Sequence, residues 1–174
     1  ASDAEPSGMA SIMRLDLGTI EECCVKASPL GVIQVANLLS PDQTVISGAV
    51  PALEKAAELC LEAGARRATR LGVAGAFHSE LMRPAADRLI RALDSVEIRE
   101  PSIPVVTNVT GKPVTDPAGI RRALADQIVS PVLWAASMRT ILDAGATRFA
   151  EPGPGRVLSG LMRKIGREAS VAGY

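Results

Sequence analysis

The strongest constraint on the fold is a run of six short apolar segments in residues 8–73, whose periodicity switches between that of a strand and that of a helix. Strands are predicted at residues 8–16, 31–38 and 43–49 and from about residue 67. Helices are predicted at residues 18–27 and from Pro51 to Gly64. The predicted buried stripe of the second helix consists of Leu53, Ala57, Cys60 and Leu61. Ser40-Pro41-Asp42 predicts the turn between the second and third strands.

The order strand–helix–strand–strand–helix–strand is that of a ferredoxin-like unit. We therefore expect residues 8–73 to form a small ferredoxin-like subdomain. Residues 1–7, which are polar and contain proline, are expected to be a linker.

Residues 74–174 have a different pattern, typical of α/β folds. The continuous apolar run 105–109 predicts a strand covered on both faces, as in a parallel sheet. Further elements are predicted as helices at 118–129, 134–144 and 157–167, a strand at 146–151 and a tight turn at 152–155. These are too few strands to close a sheet of their own.

Composition excludes several classes of function. Nineteen basic residues balance nineteen acidic ones, which argues against nucleic-acid binding. A single histidine and three cysteines without a CxxC pair argue against a metal site, and they favour a reducing compartment. No apolar run is long enough for a membrane span, so no membrane association is expected. We expect a cytoplasmic protein or, in a eukaryote, one of an organellar stroma or matrix.

The only histidine, His78, lies between an apolar segment and an amphipathic helical pattern. The apolar positions of that helix are Leu81, Met82, Ala85, Ala86, Leu89, Ile90 and Leu93. Ser79 is the expected N-cap of the helix. A histidine beside a helix N-terminus favours the neutral form that a general base needs. From spacing alone, however, a packed or capping histidine is the commoner explanation.

The residues around His78, AFHSELMRPA (76–85), resemble the histidine motif of malonyl-CoA:acyl carrier protein transacylases and of polyketide synthase acyltransferase domains. Five other segments are similar to that family in the same order: GMASIM (8–13), ANLLSPDQTVISG (36–48), IPVVTNV (103–109), LADQIVSPVLW (124–134) and EPGPGRVLSGL (151–161).

The resemblance implies transfer of a malonyl group from malonyl-CoA to the phosphopantetheine thiol of acyl carrier protein, through a serine ester, in fatty acid biosynthesis. It implies that His78 is the general base and acid, and that the backbone carbonyl of Gln127 orients it. Phe77 would lie in the acyl pocket, and phenylalanine before the histidine favours malonyl. No cofactor is implied. Two departures are Leu39, where the family commonly has asparagine, and Ala76, where many bacterial enzymes have proline.

The family's nucleophile motif, Gly-x-Ser-x-Gly, does not occur in the sequence. The resemblance therefore implies the C-terminal portion of such an enzyme, in which residues 74–174 are the C-terminal part of an α/β-hydrolase-like core. The expected partners are malonyl-CoA, acyl carrier protein and the missing N-terminal half. Alone, the chain is expected to be catalytically incomplete, and either to be poorly soluble or to associate with itself or with that half.

Two other functions remain open: an acyltransferase domain of a modular polyketide synthase, and a non-catalytic module that binds a carrier protein. Arg66, Arg67 and Arg70 could steer an acidic carrier protein or CoA phosphates, although solvated surface charge is the commoner explanation. The sequence 153–155 lacks the lysine and hydroxyl residue of a phosphate-binding loop and is interpreted as a turn.

Overall fold

A four-stranded antiparallel sheet organises the first half of the chain in the computed structural model, which describes residues 6–173. Its strands are β1 (Ser7–Met13), β2 (Ile33–Ser40), β3 (Gln43–Ala49) and β4 (Arg67–Arg70), and its helices are α1 (Leu17–Ala27) and α2 (Val50–Glu62). The spatial order of the strands is β2-β3-β1-β4. The predicted order of strands and helices along the chain is confirmed. Most of the predicted linker, residues 1–5, lies outside the described residues, and Ser7 already belongs to β1.

The two helices and the sheet enclose the main apolar core. Its most deeply buried side chains include Ile12, Ile20, Ile46, Leu53 and Cys60. Helix α1 begins after Asp16, whose carboxylate accepts a hydrogen bond from the Thr19 amide at 2.9 Å. Small and medium side chains thus fill the space that aromatic residues fill in many cores.

The predicted stripe of α2 is partly wrong. The buried positions are Ala52, Leu53, Ala56 and Cys60. Leu61 is 48% exposed, and Ala57 is only partly buried. The buried face shares Leu53 and Cys60 with the prediction but is centred nearer to Ala52 and Ala56; both sets have helical spacing, so the sequence pattern alone does not distinguish them.

The second half combines short strands with four helices. In chain order these are α3 (Arg83–Asp94), β5 (Val105–Val106), β6 (Pro113–Val114), α4 (Pro117–Asp126), α5 (Trp134–Asp143), β7 (Arg148–Glu151), α6 (Val157–Ile165) and β8 (Ser170–Gly173). Strands β7 and β8 pair in parallel and are connected by α6. Between β7 and α6 the chain bends at Gly153 and Gly155, which both have positive φ, as the predicted turn requires.

The prediction of a doubly covered strand at residues 105–109 is wrong for this chain. Strand β5 contains two residues and pairs antiparallel with β6 alone. Val105 is 41% exposed. An apolar run indicates a preference for burial, but burial also needs neighbouring strands, and within residues 6–173 only β6 pairs with β5.

The two halves meet along β2. The amide of Leu38 donates to the Val132 carbonyl at 2.9 Å, and the amide of Val132 donates to the Ala36 carbonyl at 2.8 Å. These bonds form a parallel bridge between β2 and the segment that follows α4. At the far end of the sheet, Lys164 of α6 pairs with Asp42 at 3.2 Å. The segment after α4 is thereby fixed beside the sheet.

None of the helices in residues 6–173 has the length and apolar character needed to cross a membrane.

Candidate active site

His78 lies in the loop that follows β4, in a backbone conformation that side chains rarely adopt. Its φ is +58°, in the left-handed region. The neighbouring Ser79 is fully buried, and its hydroxyl donates to the Ala76 carbonyl at 2.6 Å. This short-range bond closes the loop on the side of the core. The imidazole itself is half-buried.

The expected role of Ser79 as N-cap of the helix is wrong for α3. Ser79 has the N-cap position of a single 3₁₀ turn at Glu80–Met82 that precedes α3, and its side chain makes no capping bond. Helix α3 begins only at Arg83, with Pro84 in its first turn. The hydroxyl of Ser79 instead bonds backwards along the chain, which a sequence pattern for N-caps does not distinguish.

The imidazole ring has a defined partner. Its Nδ1 lies 2.7 Å from the main-chain oxygen of Gln127. A carbonyl oxygen can only accept, so Nδ1 bears the proton in the neutral ring and Nε2 has the free lone pair. Within residues 6–173 this is the only hydrogen bond that the ring makes. Nε2 is therefore open to a group from outside these residues.

Gln127 occupies the C-cap position of α4. Its amide donates to the Ala123 carbonyl at 3.1 Å, whereas its own carbonyl lies beyond the intrahelical hydrogen-bond pattern. The side-chain oxygen of Gln127 accepts from the Asn108 amide at 3.3 Å, and the Leu133 amide donates to the Asn108 carbonyl at 2.7 Å. The structure thus brings His78 and Gln127, predicted together from the resemblance, into direct contact.

Gln34 on β2 is a site residue that the sequence reasoning missed. Its amide nitrogen lies 3.3 Å from the carbonyl oxygen of His78 and 3.3 Å from that of Val129, and its amide oxygen accepts from the Glu80 amide at 3.2 Å. Nothing in the sequence signals this role, because a glutamine in an alternating strand resembles an ordinary polar position.

Two further positions singled out from the sequence are Phe77 and Leu39. The first is exposed, and the second is part of an apolar cluster. Phe77 is 38% exposed. Leu39 packs against the apolar cluster of Met9, Ala36 and Val45. The position that is commonly asparagine in the resembled family is thus part of an apolar contact here.

Two of the three cysteines, Cys24 and Cys60, are poor nucleophiles in this structure. Burial, together with the neighbouring Cys23, raises the pKa of Cys24 to about 12 and that of Cys60 to about 12. Thiols with such pKa values are almost entirely protonated at neutral pH. In residues 6–173, no three histidine, cysteine, aspartate or glutamate side chains converge as metal ligands would.

The basic group formed by Arg66, Arg67 and Arg70 is exposed at β4 and the residue before it. Arg70 pairs with Glu54 at 3.3 Å, which neutralises part of the local positive charge. An exposed ion pair of this kind contributes little to stability. Steering of a charged partner by these arginines stays a prediction.

Comparisons with known proteins agree on one group of enzymes. The chain is 42% identical over 170 residues to the malonyl CoA-acyl carrier protein transacylase of Bacillus subtilis. The aligned residues cover 95% of this chain and 54% of that protein. It is 40% identical over 164 residues to a polyketide biosynthesis protein of Burkholderia thailandensis. The aligned residues cover 94% of this chain and 14% of that protein. No protein-family model matches.

The solved structures give the same result for the fold. A malonyl-transacylase in complex with its type II polyketide synthase acyl-carrier protein superposes with a TM-score of 0.93 at 37% identity, covering 97% of this chain and 55% of that one. The chain thus spans about half the length of the transacylases that it matches. It is a homologue of the malonyl CoA-acyl carrier protein transacylases over that half.

Proposed function

We propose that the chain provides the general base of a malonyl-CoA:acyl carrier protein transacylase that works through a serine ester. The observation that supports this most directly is the hydrogen bond from His78 Nδ1 to the Gln127 carbonyl, because it leaves the Nε2 lone pair free to take a proton. The nucleophilic serine would come from an N-terminal half outside these 174 residues.

In the first half-reaction, Nε2 of His78 takes the proton of the serine hydroxyl as its oxygen attacks the thioester carbon of malonyl-CoA. The carbon–sulfur bond then breaks, and the protonated imidazole returns the proton to the departing CoA sulfur. In the second half-reaction, Nε2 takes the proton of the carrier-protein thiol, and the sulfur attacks the serine ester. The carbon–oxygen bond breaks and the serine oxygen recovers the proton.

The Gln127 carbonyl has the role that a carboxylate has in a serine–histidine–aspartate triad. It keeps the ring in the Nδ1–H tautomer and stabilises the imidazolium that forms when Nε2 is protonated. Phe77, the residue before His78, would contribute to the acyl pocket, since its partly exposed ring leaves an apolar surface beside the base.

For the fold, we propose that residues 8–73 are a ferredoxin-like small subdomain and that residues 74–174 are the C-terminal part of an α/β-hydrolase-like core. The strand order β2-β3-β1-β4 and the two helices support the first assignment. The parallel β7–α6–β8 unit and the two-residue β5 support the second, since both would continue into a larger sheet.

A second candidate is an acyltransferase domain of a polyketide synthase. The match to a much longer polyketide biosynthesis protein favours it, as the chain covers only 14% of that relative. Both candidates use the same histidine chemistry. Ketosynthase sequence adjacent to this chain in its parent gene would distinguish the synthase domain from a separate enzyme.

The test is denaturing intact-mass analysis of the natural polypeptide that contains this chain, before and after mixing with malonyl-CoA. We expect a malonyl adduct on a serine outside residues 1–174, and we expect its formation to be strongly slowed in His78→Ala. An adduct on one of the residues of this chain would contradict the assignment of the nucleophile. Carrier-protein binding without any adduct would favour a non-catalytic binding module.

A further inference from the structure

Gln34 connects three backbone segments with a single side chain. Its amide nitrogen is 3.3 Å from the His78 carbonyl oxygen and 3.3 Å from the Val129 carbonyl oxygen, and its amide oxygen is 3.2 Å from the Glu80 nitrogen. These contacts span 44, 95 and 46 positions of sequence. The residue itself lies on β2, the strand along which the two halves of the chain meet.

The chemistry of the partners fixes the orientation of this amide. Two of its partners are carbonyl oxygens, which only accept, and the third is a backbone N–H, which only donates. Turning the amide over would place its oxygen against two carbonyl oxygens and its NH₂ against an N–H. All three bonds therefore support one orientation of the Gln34 side chain.

The bonds of Gln34 act on both members of the pair formed by His78 and Gln127. On one side they hold the backbone of the base, through the His78 carbonyl and the Glu80 amide. On the other side they hold the Val129 carbonyl, two residues after the carbonyl that orients the ring. The ring and its acceptor are 49 positions apart, so their 2.7 Å contact depends on how these two segments are placed.

The backbone of His78 needs such support. A non-glycine residue with φ near +58° is strained and persists only where its surroundings hold it. The Ser79 hydroxyl holds the loop from the buried side, and the Gln34 side chain holds it from the side of β2. Without Gln34, the backbone at His78 could relax and move the ring from its acceptor.

We propose that Gln34 is a positioning residue for the proton-transfer site: it keeps His78 in the Nδ1–H tautomer by fixing both the base and the segment of its acceptor. This inference rests on the proposed function. The three hydrogen bonds of Gln34 go to main-chain atoms and not to the ring, so it acts through the placement of His78.

The test uses the fact that His78 is the only histidine of the chain, so that its ring nitrogens give unambiguous signals in long-range ¹H–¹⁵N spectra. In the unaltered chain we expect the Nδ1–H tautomer to dominate at a pH where the ring is neutral. In Gln34→Met, which keeps the length of the side chain and removes all three bonds, we expect the proton to redistribute towards Nε2.

A matched control is Gln43→Met. Gln43 lies on β3 of the same sheet, and its amide donates to the Ser11 hydroxyl at 3.2 Å. We expect this variant to retain the Nδ1–H tautomer. If Gln34→Met does not fold, Gln34→Glu provides the second variant, since its carboxylate can accept from Glu80 but cannot donate to the two carbonyls. A folded Gln34→Met or Gln34→Glu with the unaltered tautomer would overturn the proposal.

Kinetics of the polypeptide that includes the serine half give an independent readout. We expect kcat for Gln34→Met to fall by about tenfold while KM for malonyl-CoA changes little, because the three lost bonds position the base. If the unaltered enzyme forms no malonyl adduct, the proposed function fails whatever the tautomer. If it forms the adduct and Gln34→Met matches it in tautomer and kcat, only the role of Gln34 fails.

Discussion

The main-chain oxygen of Gln127 accepts from Nδ1 of His78 at 2.7 Å, whereas the side-chain oxygen of the same residue accepts from Asn108 at 3.3 Å. The group that orients the base therefore does not depend on the identity of the residue at position 127. This differs from a triad in which the orienting group is a carboxylate side chain that substitution removes.

Gln127→Ala should consequently preserve the Nδ1–H tautomer of His78, because the carbonyl remains. The substitution should lower the free energy of unfolding by about 1 kcal/mol, because the hydrogen bond to Asn108 is lost. Long-range ¹H–¹⁵N spectra and urea denaturation measure the two effects. Asn108→Ala, which removes the same side-chain bond from the other end, should behave alike. A change of tautomer in Gln127→Ala would show that the side chain, and not the backbone, positions the ring.

The part of the fold that the sequence predicted well is the first sheet. Its strands and helices follow one another at short intervals and with clear periodicity, so each element is specified by residues close in sequence. The second half depends on pairings that local patterns do not encode. Strand β8, which the sequence reasoning missed, contains only the four residues Ser170–Gly173 (SVAG), and it pairs with β7 because α6 returns the chain beside it.

In the candidate site, too, long-range contacts could not be predicted from local sequence patterns. His78 and Gln127 were identified through a resemblance, not through their spacing, since their contact spans 49 positions. The left-handed backbone of His78 has no sequence signal, because glycine and not histidine is the residue that normally marks such a conformation. Gln34 was missed for a related reason: its three partners are backbone groups, and a sequence pattern contains no information about them.

The buried thiols provide a prediction about reactivity. At pH 8, a thiol with a pKa of about 12 is ionised in only about one molecule in ten thousand. Cys24 and Cys60 should therefore resist iodoacetamide in the folded chain and react rapidly in denaturant. Peptide-level mass spectrometry after timed alkylation measures the two rates. Fast native alkylation at either position would mean that the packing around α1 and α2 opens readily.

Glu151 should make the stability of the second half depend on pH. Its carboxylate accepts from the Ser159 hydroxyl at 2.5 Å and from the Leu158 and Ser159 amides at 2.9 Å, so that it caps α6. The Ser159 hydroxyl first, and then these amides, hold the pKa of Glu151 below its ordinary value of 4.5. A lowered folded-state pKa means that this stabilisation is complete above about pH 4.5 and is lost as the pH falls through the folded-state value.

Glu151→Gln should therefore lower the midpoint of thermal unfolding at pH 7, and the difference from the unaltered chain should shrink at acidic pH. Glu168→Gln is the control, since Glu168 is an exposed carboxylate just after α6. It should leave the midpoint nearly unchanged at pH 7. An equal effect of Glu151→Gln at pH 7 and pH 3 would contradict the capping role of the ionised carboxylate.

Exposed apolar side chains next to β5 predict association of the chain. Ile103, two residues before β5, is 74% exposed, and Val105 of β5 is 41% exposed; among residues 6–173 only β6 pairs with this strand. Sedimentation velocity over a range of concentrations should show self-association that Ile103→Lys reduces. A concentration-independent monomer would contradict this prediction, because it would mean that these side chains do not form a cohesive surface.

Gly48 is the position where a single methyl group should be most harmful to the sheet. A Cβ atom there would lie 2.8 Å from the Cα of Ile33 and closer still to the Val32 carbonyl oxygen, both of which are backbone atoms of the neighbouring segment. Backbone cannot move aside as a flexible side chain can, so β2 and β3 would have to separate. Gly48→Ala should lower the free energy of unfolding by about 3 kcal/mol.

The matched substitution at Gly160 should change the free energy of unfolding in the opposite direction. Gly160 lies inside α6, and a Cβ there would meet nothing within 4 Å. Gly160→Ala should raise the free energy of unfolding by about 0.5–1 kcal/mol, because alanine loses less backbone entropy than glycine in a helix. Urea denaturation of both variants gives the comparison.

The two variants should also differ in their effect on the site. Because β2 bears Gln34, separation of β2 from β3 should disturb the His78 tautomer in Gly48→Ala, whereas Gly160→Ala should leave the tautomer unaltered. A destabilised Gly48→Ala with the tautomer unaltered would show that the site is insulated from the register of the sheet.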